Sequence, residues 1–117
     1  MHELSIAEEL GRQIERLACE HNAKRVGVVE VETGALKLVE QEALREAFSA
    51  VGEGTVFEDA RLEIRDTPGR ARCRACGCEY GIASPHELLC PECGLADAEI
   101  TQGNDIVLAS LEMDAAE

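Results

Sequence analysis

Apolar residues recur at helical spacing in two stretches of the chain and alternate with polar ones in three others. Ala7, Leu10, Ile14, Leu17, Ala18 and His21 fall on one helical face, while Glu9, Arg12, Glu15, Arg16 and Glu20 cover the other. Ser5-Ile-Ala-Glu8 has capping-box spacing, which predicts a helix from about Ile6 to near Asn22. Gly11 should weaken it by about 1 kcal/mol relative to Ala. His21, near the helix end, is expected as a half-buried imidazole favoured by the helix dipole, and Cys19 as a small buried hydrophobe. A Val-rich strand follows over Val26–Thr33; its alternation slips between Val28 and Val29, which predicts either a bulge or burial on both faces. Gly34 breaks it. Ala43, Leu44, Ala47, Phe48 and Val51 then build a second amphipathic helix, entered at Glu40 and ended by Gly52-Glu-Gly54. Leu62 and Ile64 alternate with Arg61, Glu63 and Arg65 in a short strand that stops at the breaker pair Pro68-Gly69. Residues 95–104 read as an exit loop, Asp105 to Met113 as a last strand, and Asp114 to Glu117 as a frayed tail.

The last strand needs a sheet, and its available partners precede Pro68. This order predicts an α+β fold: a lobe of two helices and a three-stranded sheet, built from 1–68 and 101–117, with 69–100 looped out as an inserted module.

The inserted stretch holds Cys73-Arg-Ala-Cys76-Gly77 and Cys90-Pro-Glu-Cys93-Gly94. Two Cys-x-x-Cys turns can bring four thiolates to one tetrahedral Zn2+, which favours such soft, closed donor sets. A glycine after each second cysteine supplies the positive φ that lets the chain curl around the metal. A disulfide framework or a redox Cys-x-x-Cys pair is the competing reading, and nothing else in the chain supports either. Cys78 and His86 lie beside this set. Cys78 is equally placed to swap into the zinc shell and to remain a free thiol beside it; His86 could tune or replace a ligand, but beside a complete four-cysteine set it reads first as a surface loop residue.

Composition narrows the function. The formal net charge is −13, and a zinc tetrathiolate would deepen it; phosphate-dominated nucleic-acid binding needs the opposite sign. Aromatic residues make up 3% of the chain and Trp is absent, so Val, Leu, Ile and Ala must form the core. No apolar run approaches the length needed to span a bilayer, and no signal-peptide pattern opens the chain. A cytoplasmic, reducing location is therefore expected, where cysteines serve as metal ligands before they serve as disulfides. No nucleophile motif, phosphate loop or acid/base pair is specific enough to indicate an enzyme.

His2 is the other residue with chemistry. A terminal amine, the first backbone amides and an imidazole can wrap Ni2+ or Cu2+ in small chelate rings, and Glu3 could add a carboxylate. The amine, with an ordinary pKa of about 7.7 to 8.0, would have to lose its proton to bind, so binding should weaken in mild acid. A histidine at this position is also an ordinary terminal residue.

Taken together, Met1-His2-Glu3-Leu4-Ser5, the two Cys-x-x-Cys pairs, and Ile100-Thr-Gln-Gly-Asn104 leading to Leu111-Glu112-Met113 resemble the HypA/HybF hydrogenase nickel-incorporation proteins over essentially the whole chain. The resemblance implies a nickel metallochaperone, not an enzyme, that accepts Ni2+ at its N-terminus and passes it toward [NiFe]-hydrogenase, in some organisms also urease. It implies His2 as the essential nickel ligand, assisted by the Met1 amine, backbone amides and Glu3, with Glu40 offering a supplementary carboxylate. Cys73, Cys76, Cys90 and Cys93 would hold structural zinc. The implied partners are a HypB-type GTPase and the hydrogenase large subunit, with the protein itself a monomer or weak homodimer. The chain departs from the pattern at Cys78, and His86 is the one histidine of its zinc region, so histidines flanking both cysteine pairs cannot act here as a pH sensor. The alternative is a zinc-ribbon interaction module without metal transfer, docking its acidic surface on a basic partner.

Overall fold

A computed structural model describes residues 2–84 and 86–115. The elements, in chain order, are α1 (His2–Glu20), β1 (Ala23–Gly34), a 3-10 turn (Ala35–Lys37), α2 (Gln41–Gly52), β2 (Arg61–Thr67), β3 (Gly69–Cys73), β4 (Glu79–Ile82), β5 (Ala98–Gln102) and β6 (Ile106–Ala115). They make two three-stranded sheets, ordered β2-β1-β6 and β4-β3-β5. The α+β class, the helix pair and the first sheet are as the hydrophobic pattern predicts. No helix among the described residues is long and apolar enough to cross a membrane.

The chain divides into two compact units. The first comprises Met1–Val31, Val39–Ile64 and Leu108–Glu117; the second comprises Glu32–Leu38 and Arg65–Val107. The second thus reaches beyond 69–100 on both sides and takes in the end of β1.

In the first unit α1 packs on α2. Ala7, Leu10, Ile14 and Ala18 of α1 are buried, with Leu44 and Phe48 of α2 and Val26, Val29 and Val31 of β1. Phe57 explains two helix glycines, Gly11, which sequence marks as a weak point, and Gly52, which it marks as a helix end. A Cβ on Gly11 would lie 3.1 Å from the Phe57 ring, and one on Gly52 would lie equally close, so both glycines make room for that side chain. Phe48 meets the same ring at 5.0 Å between centroids. Burial in β1 runs Val26, Val29, Val31, Thr33, a change of parity at the place where the alternation slips.

Five local expectations are corrected. α1 begins at His2 rather than Ile6, which puts Ser5 and Glu8 inside the helix instead of at its cap. Nothing in His2-Glu3-Leu4 opposes helix, and an acidic Glu3 suits the first turn. Cys19 is exposed, because the stripe that ends in Ala18 leaves its neighbour outside. His21 is exposed as well, in the turn that ends at Asn22 with φ 53°. The stretch read as an exit loop contains β5, and Asp114 and Ala115 belong to β6; residues 116–117 lie outside the described set.

The second unit closes on a contact of three glycines from distant parts of the chain. A Cβ on Gly34 would lie 2.2 Å from the Gly103 carbonyl oxygen, and one on Gly103 would lie 2.6 Å from the Gly69 Cα. Gly103 also has φ 88°, a backbone region that residues with a Cβ adopt only under strain. Around this point Gly34 donates its amide to Asp105 O at 2.7 Å, Leu36 donates to Gly103 O at 2.9 Å, and the Gln102 side chain donates to Pro68 O at 3.0 Å. The Gly103→Ala variant should therefore lose about 3 kcal/mol through strain and overpacking, while Gly27→Ala, whose Cβ would meet nothing within 4 Å, should change stability by well under 1 kcal/mol. Chemical denaturation of the two variants beside the parent tests this; equal midpoints for both would refute it.

Candidate metal centres

Two turns of the same construction carry the cysteines. In the first, Gly77 donates its amide to Cys73 O and Cys73 donates to Cys78 O, both at 2.9 Å; in the second, Gly94 donates to Cys90 O and Cys90 donates to Leu95 O, again at 2.9 Å. Gly77 and Gly94 have φ of 79° and 76°, the left-handed corner that each turn requires. β3 delivers the first turn, and its antiparallel partners fix it: Arg72 stands opposite Glu79 on β4 and Glu99 on β5.

The result is a convergence of sulfur. The Sγ atoms of Cys73, Cys76, Cys90 and Cys93 all lie within 4.8 Å of one another. Cys73 and Cys90, the first cysteine of each turn, are buried, whereas Cys76 and Cys93 are exposed. Amide groups inside each turn create an electrostatic asymmetry. The Cys76 amide, then that of Ala75, pulls the Cys73 thiol below its ordinary value, and the Cys93 and Glu92 amides pull Cys90 down to about 6. Cys76 gains from the Cys78 amide, but its thiol contacts with Cys90, Cys73 and Cys93, together with desolvation, push it up to about 12. Cys93 likewise rises, because the Leu95 amide is outweighed by Cys73, desolvation and Cys90. Sulfur contacts of 3.5 Å between Cys73 and Cys93 and 3.6 Å between Cys76 and Cys90 each join a thiol held below its ordinary value to one pushed above it. A cation at the centre would displace thiol protons, those of Cys76 and Cys93 being the more firmly held, which is what a thiolate-loving divalent ion does. Four sulfurs at this spacing from two closed turns fit tetrahedral zinc chemistry.

Cys78 and His86 are not members of the converging four, although Cys78 packs against the core that holds Cys73 and Cys90. Cys78 is half-buried, donates weakly to Glu79 O at 3.7 Å, and has its thiol raised by burial and by the charge on Cys90. Its carbonyl closes the first turn as that of Leu95 closes the second, so its clearest structural contribution is made by backbone. His86 is exposed in the loop after β4, with its amide donating to Ser84 Oγ at 3.2 Å. Sequence reasoning missed Tyr80, whose hydroxyl donates to Leu88 O at 2.6 Å and ties that loop to the buried face under the cysteines. The Glu79-Tyr-Gly-Ile82 alternation is a usable strand signal, hidden by its shortness.

At the start of α1, His2, Glu3 and Glu40 are brought together. The His2 Nε2 lies 3.2 Å from Glu3 Oε2, and the Glu40 amide donates to that same oxygen at 3.1 Å. Glu40 is the N-cap of α2, its two carboxylate oxygens accepting the amides of Glu42 and Ala43 at 3.1 and 2.8 Å. A carboxylate oxygen keeps a further lone pair after one such bond, so capping does not exhaust Glu40 as a donor. Met1 lies outside the described residues. The Glu40 amide, ahead of smaller contributions from His2 and the chain terminus, holds the Glu3 carboxyl below its ordinary 4.5. A lowered folded value means that the ionised contact contributes fully above pH 4.5 and is lost as pH falls through the lowered value. The Glu40 amide resonance should accordingly report Glu3 titration with a midpoint under 4.5. A midpoint at or above that value in an NMR pH series, or no response, would break the assigned bond.

The family described as "Hydrogenase/urease nickel incorporation, metallochaperone, hypA" matches residues 1–113. Among curated relatives, the Hydrogenase maturation factor HypA of Azotobacter chroococcum mcd 1 is 40% identical over 97% of this chain and 100% of its own length. That of Rhodopseudomonas palustris strain TIE-1 is 42% identical with the same coverage. The solution structure of the Ni metallochaperone HypA from Helicobacter pylori superposes with a TM-score of 0.74 at 29% identity, covering 97% of this chain and 98% of that one. With its helix pair, its two sheets and its four converging cysteines, the chain belongs to the HypA family of hydrogenase maturation metallochaperones.

Proposed function

We propose that this protein binds Ni2+ at its N-terminus and delivers it during maturation of [NiFe]-hydrogenase, while Zn2+ stays resident among Cys73, Cys76, Cys90 and Cys93. The observation that carries the nickel reading is the meeting of His2, Glu3 and Glu40 at one point. The imidazole supplies the discriminating nitrogen, and the Met1 amine and first backbone amides complete a nitrogen-rich set suited to Ni2+ rather than Zn2+. Glu3, anchored to the Glu40 amide, holds the terminus in place, and Glu40 is a supplementary oxygen donor. Residues 1–68 and 101–117 then serve as the nickel-binding domain and 69–100 as the zinc-binding domain.

A delivered ion requires a donor and a receiver. A HypB-type GTPase and the hydrogenase large subunit fill those roles in this reading, with urease as a further recipient and the cytoplasm as the place of transfer. The protein acts as a carrier rather than a catalyst, as a monomer or weak homodimer. Cys78 and His86 border the zinc ligands without replacing them.

Nickel titrated into the zinc-loaded protein should bind with an affinity that falls at least about a hundredfold in His2→Ala, roughly 2.7 kcal/mol. Residues left ahead of Met1 by a purification tag should weaken binding as well, by removing the amine. Calorimetry that found the same affinity in all three forms would remove the N-terminus as the site. One zinc and no second metal site would favour a zinc-ribbon interaction module instead.

Replacing Cys73 or Cys90 by Ser should abolish stoichiometric zinc and unfold the second unit, since metal binding and folding are coupled in modules of this size. Elemental analysis together with amide hydrogen exchange checks both halves, and zinc retained at full stoichiometry would overturn the ligand assignment.

A further inference from the structure

We infer that the free edge of β4 and the apolar base of the second cysteine turn form a docking surface for an extended, Lys/Arg-flanked apolar segment of a partner protein. The surface works whether or not nickel is carried at the N-terminus.

β4 is the outer strand of the β4-β3-β5 sheet, with no strand beyond it among the described residues. The bond from the Cys73 amide to Cys78 O fixes which of its groups face outward. Antiparallel pairs alternate between bonded and unbonded, so Ala71 with Tyr80 and Gly69 with Ile82 are the pairs that turn toward each other in this register. Glu79 and Gly81 therefore aim their backbone groups away from β3. Cys78 occupies the Glu79 carbonyl; at Gly81 both groups remain for an incoming strand, and a Cβ there would meet nothing closer than 3.8 Å. Strand addition to such an edge takes its affinity from backbone bonds and its selectivity from adjoining pockets.

The adjoining pocket is present. A groove of about 380 Å3 runs along Tyr80, Gly81, Ile82, His86, Glu87 and Leu89. Leu89 is 68% exposed, and Leu95, joined to the same turn by the Cys90 amide to Leu95 O bond, is 53% exposed. Two large apolar side chains held outward at one rigid turn, beside an open groove, present an unsatisfied apolar surface.

Charge selects the occupant. Glu87 and Glu92 are exposed on this turn and its approach, and no Lys or Arg follows Arg74 anywhere in the sequence. Asp97 is taken up by Arg74 at 3.1 Å. The arginines of β3 do not neutralise the groove, because Arg70 and Arg72 alternate to the sheet face opposite Tyr80 and Ile82. Acidic side chains here, with no Lys or Arg among the residues that line the groove, favour a basic partner and repel an acidic one.

The test uses the zinc-loaded, isotope-labelled full chain and a synthetic peptide alternating Leu and Val with Lys. Controls are the same peptide with Glu for Lys, and an N-methylated form that cannot add as a strand. The Lys peptide should shift the Gly81, Leu89 and Leu95 amides, with affinity about tenfold lower for the Glu peptide, for the N-methylated form and for Leu89→Ser/Leu95→Ser. Zinc content shows that this doubly substituted protein remains folded. Equal affinity for both charge forms, binding indifferent to the two leucines, shifts confined to other residues, or no binding at millimolar peptide would each overturn the proposal. So would sedimentation showing that the leucines instead hold two copies of this chain together.

Discussion

Mutual repulsion among sulfurs is the constraint on which the second unit rests. Four cysteine sulfurs are drawn to within 4.8 Å of each other, and four thiolates cannot share that space without a cation or retained protons. The turns prepare for the cation. Amides inside them favour negative charge on Cys73 and Cys90, the first cysteine of each turn. The apolar cluster beneath consists of Leu36, Ala71, Tyr80 and Ile82 together with those same two cysteines. So small a core does not hold three short strands by burial alone. A metal held by the four sulfurs would make ligation and core one structure, because Cys73 and Cys90 belong to both sets.

The glycine contact follows from the same economy. A unit with few apolar side chains gains cohesion by bringing backbones close, and Gly34, Gly69 and Gly103 permit approaches that any Cβ would block. The Gln102-Gly103-Asn104 stretch is where this occurs. The Gly103 carbonyl accepts the Leu36 amide, the Gln102 side chain donates to Pro68 O, and the next residue, Asp105, accepts the amide of Gly34 at the end of β1, so a segment that reads as a connection between strands is the clasp of the unit.

What the sequence made legible is what has a period or a fixed spacing. The two helices, β1, β2 and β6 announced themselves by recurrence of apolar residues, and the cysteine set by its doubled Cys-x-x-Cys-Gly turns. β3, β4 and β5 did not, for a physical reason: strands this short present one or two alternations, and Arg70, Arg72 and Arg74 mask the buried Ala71 and Cys73 between them. The start of α1 was misplaced because a capping pattern describes where a helix can begin, while the bond between Glu3 and the Glu40 amide rewards beginning earlier. Residues joined across such distances leave no local signature. Glu40 could be marked as an acidic residue before a helix, but its cap and its contact with Glu3 required the fold.

In the proposed reading the two metal sites differ in chemistry because their tasks differ. A resident ion belongs in a site whose ligands are part of a core and whose loss unfolds the unit, which makes release costly. A transferred ion needs the reverse. Donors on an exposed first turn can be reached by a receiving protein, and a protonatable imidazole and amine give the ion a route out that does not disturb buried structure. His2 is more than half exposed, and Glu3 is held to the rest of the fold through the Glu40 amide. Sulfur in the closed unit and nitrogen at the open terminus also keep the ions sorted, since soft thiolates hold zinc while a nitrogen set favours nickel. The same sequence can therefore carry both metals without either site needing high absolute selectivity, provided that the cysteine cluster is filled first.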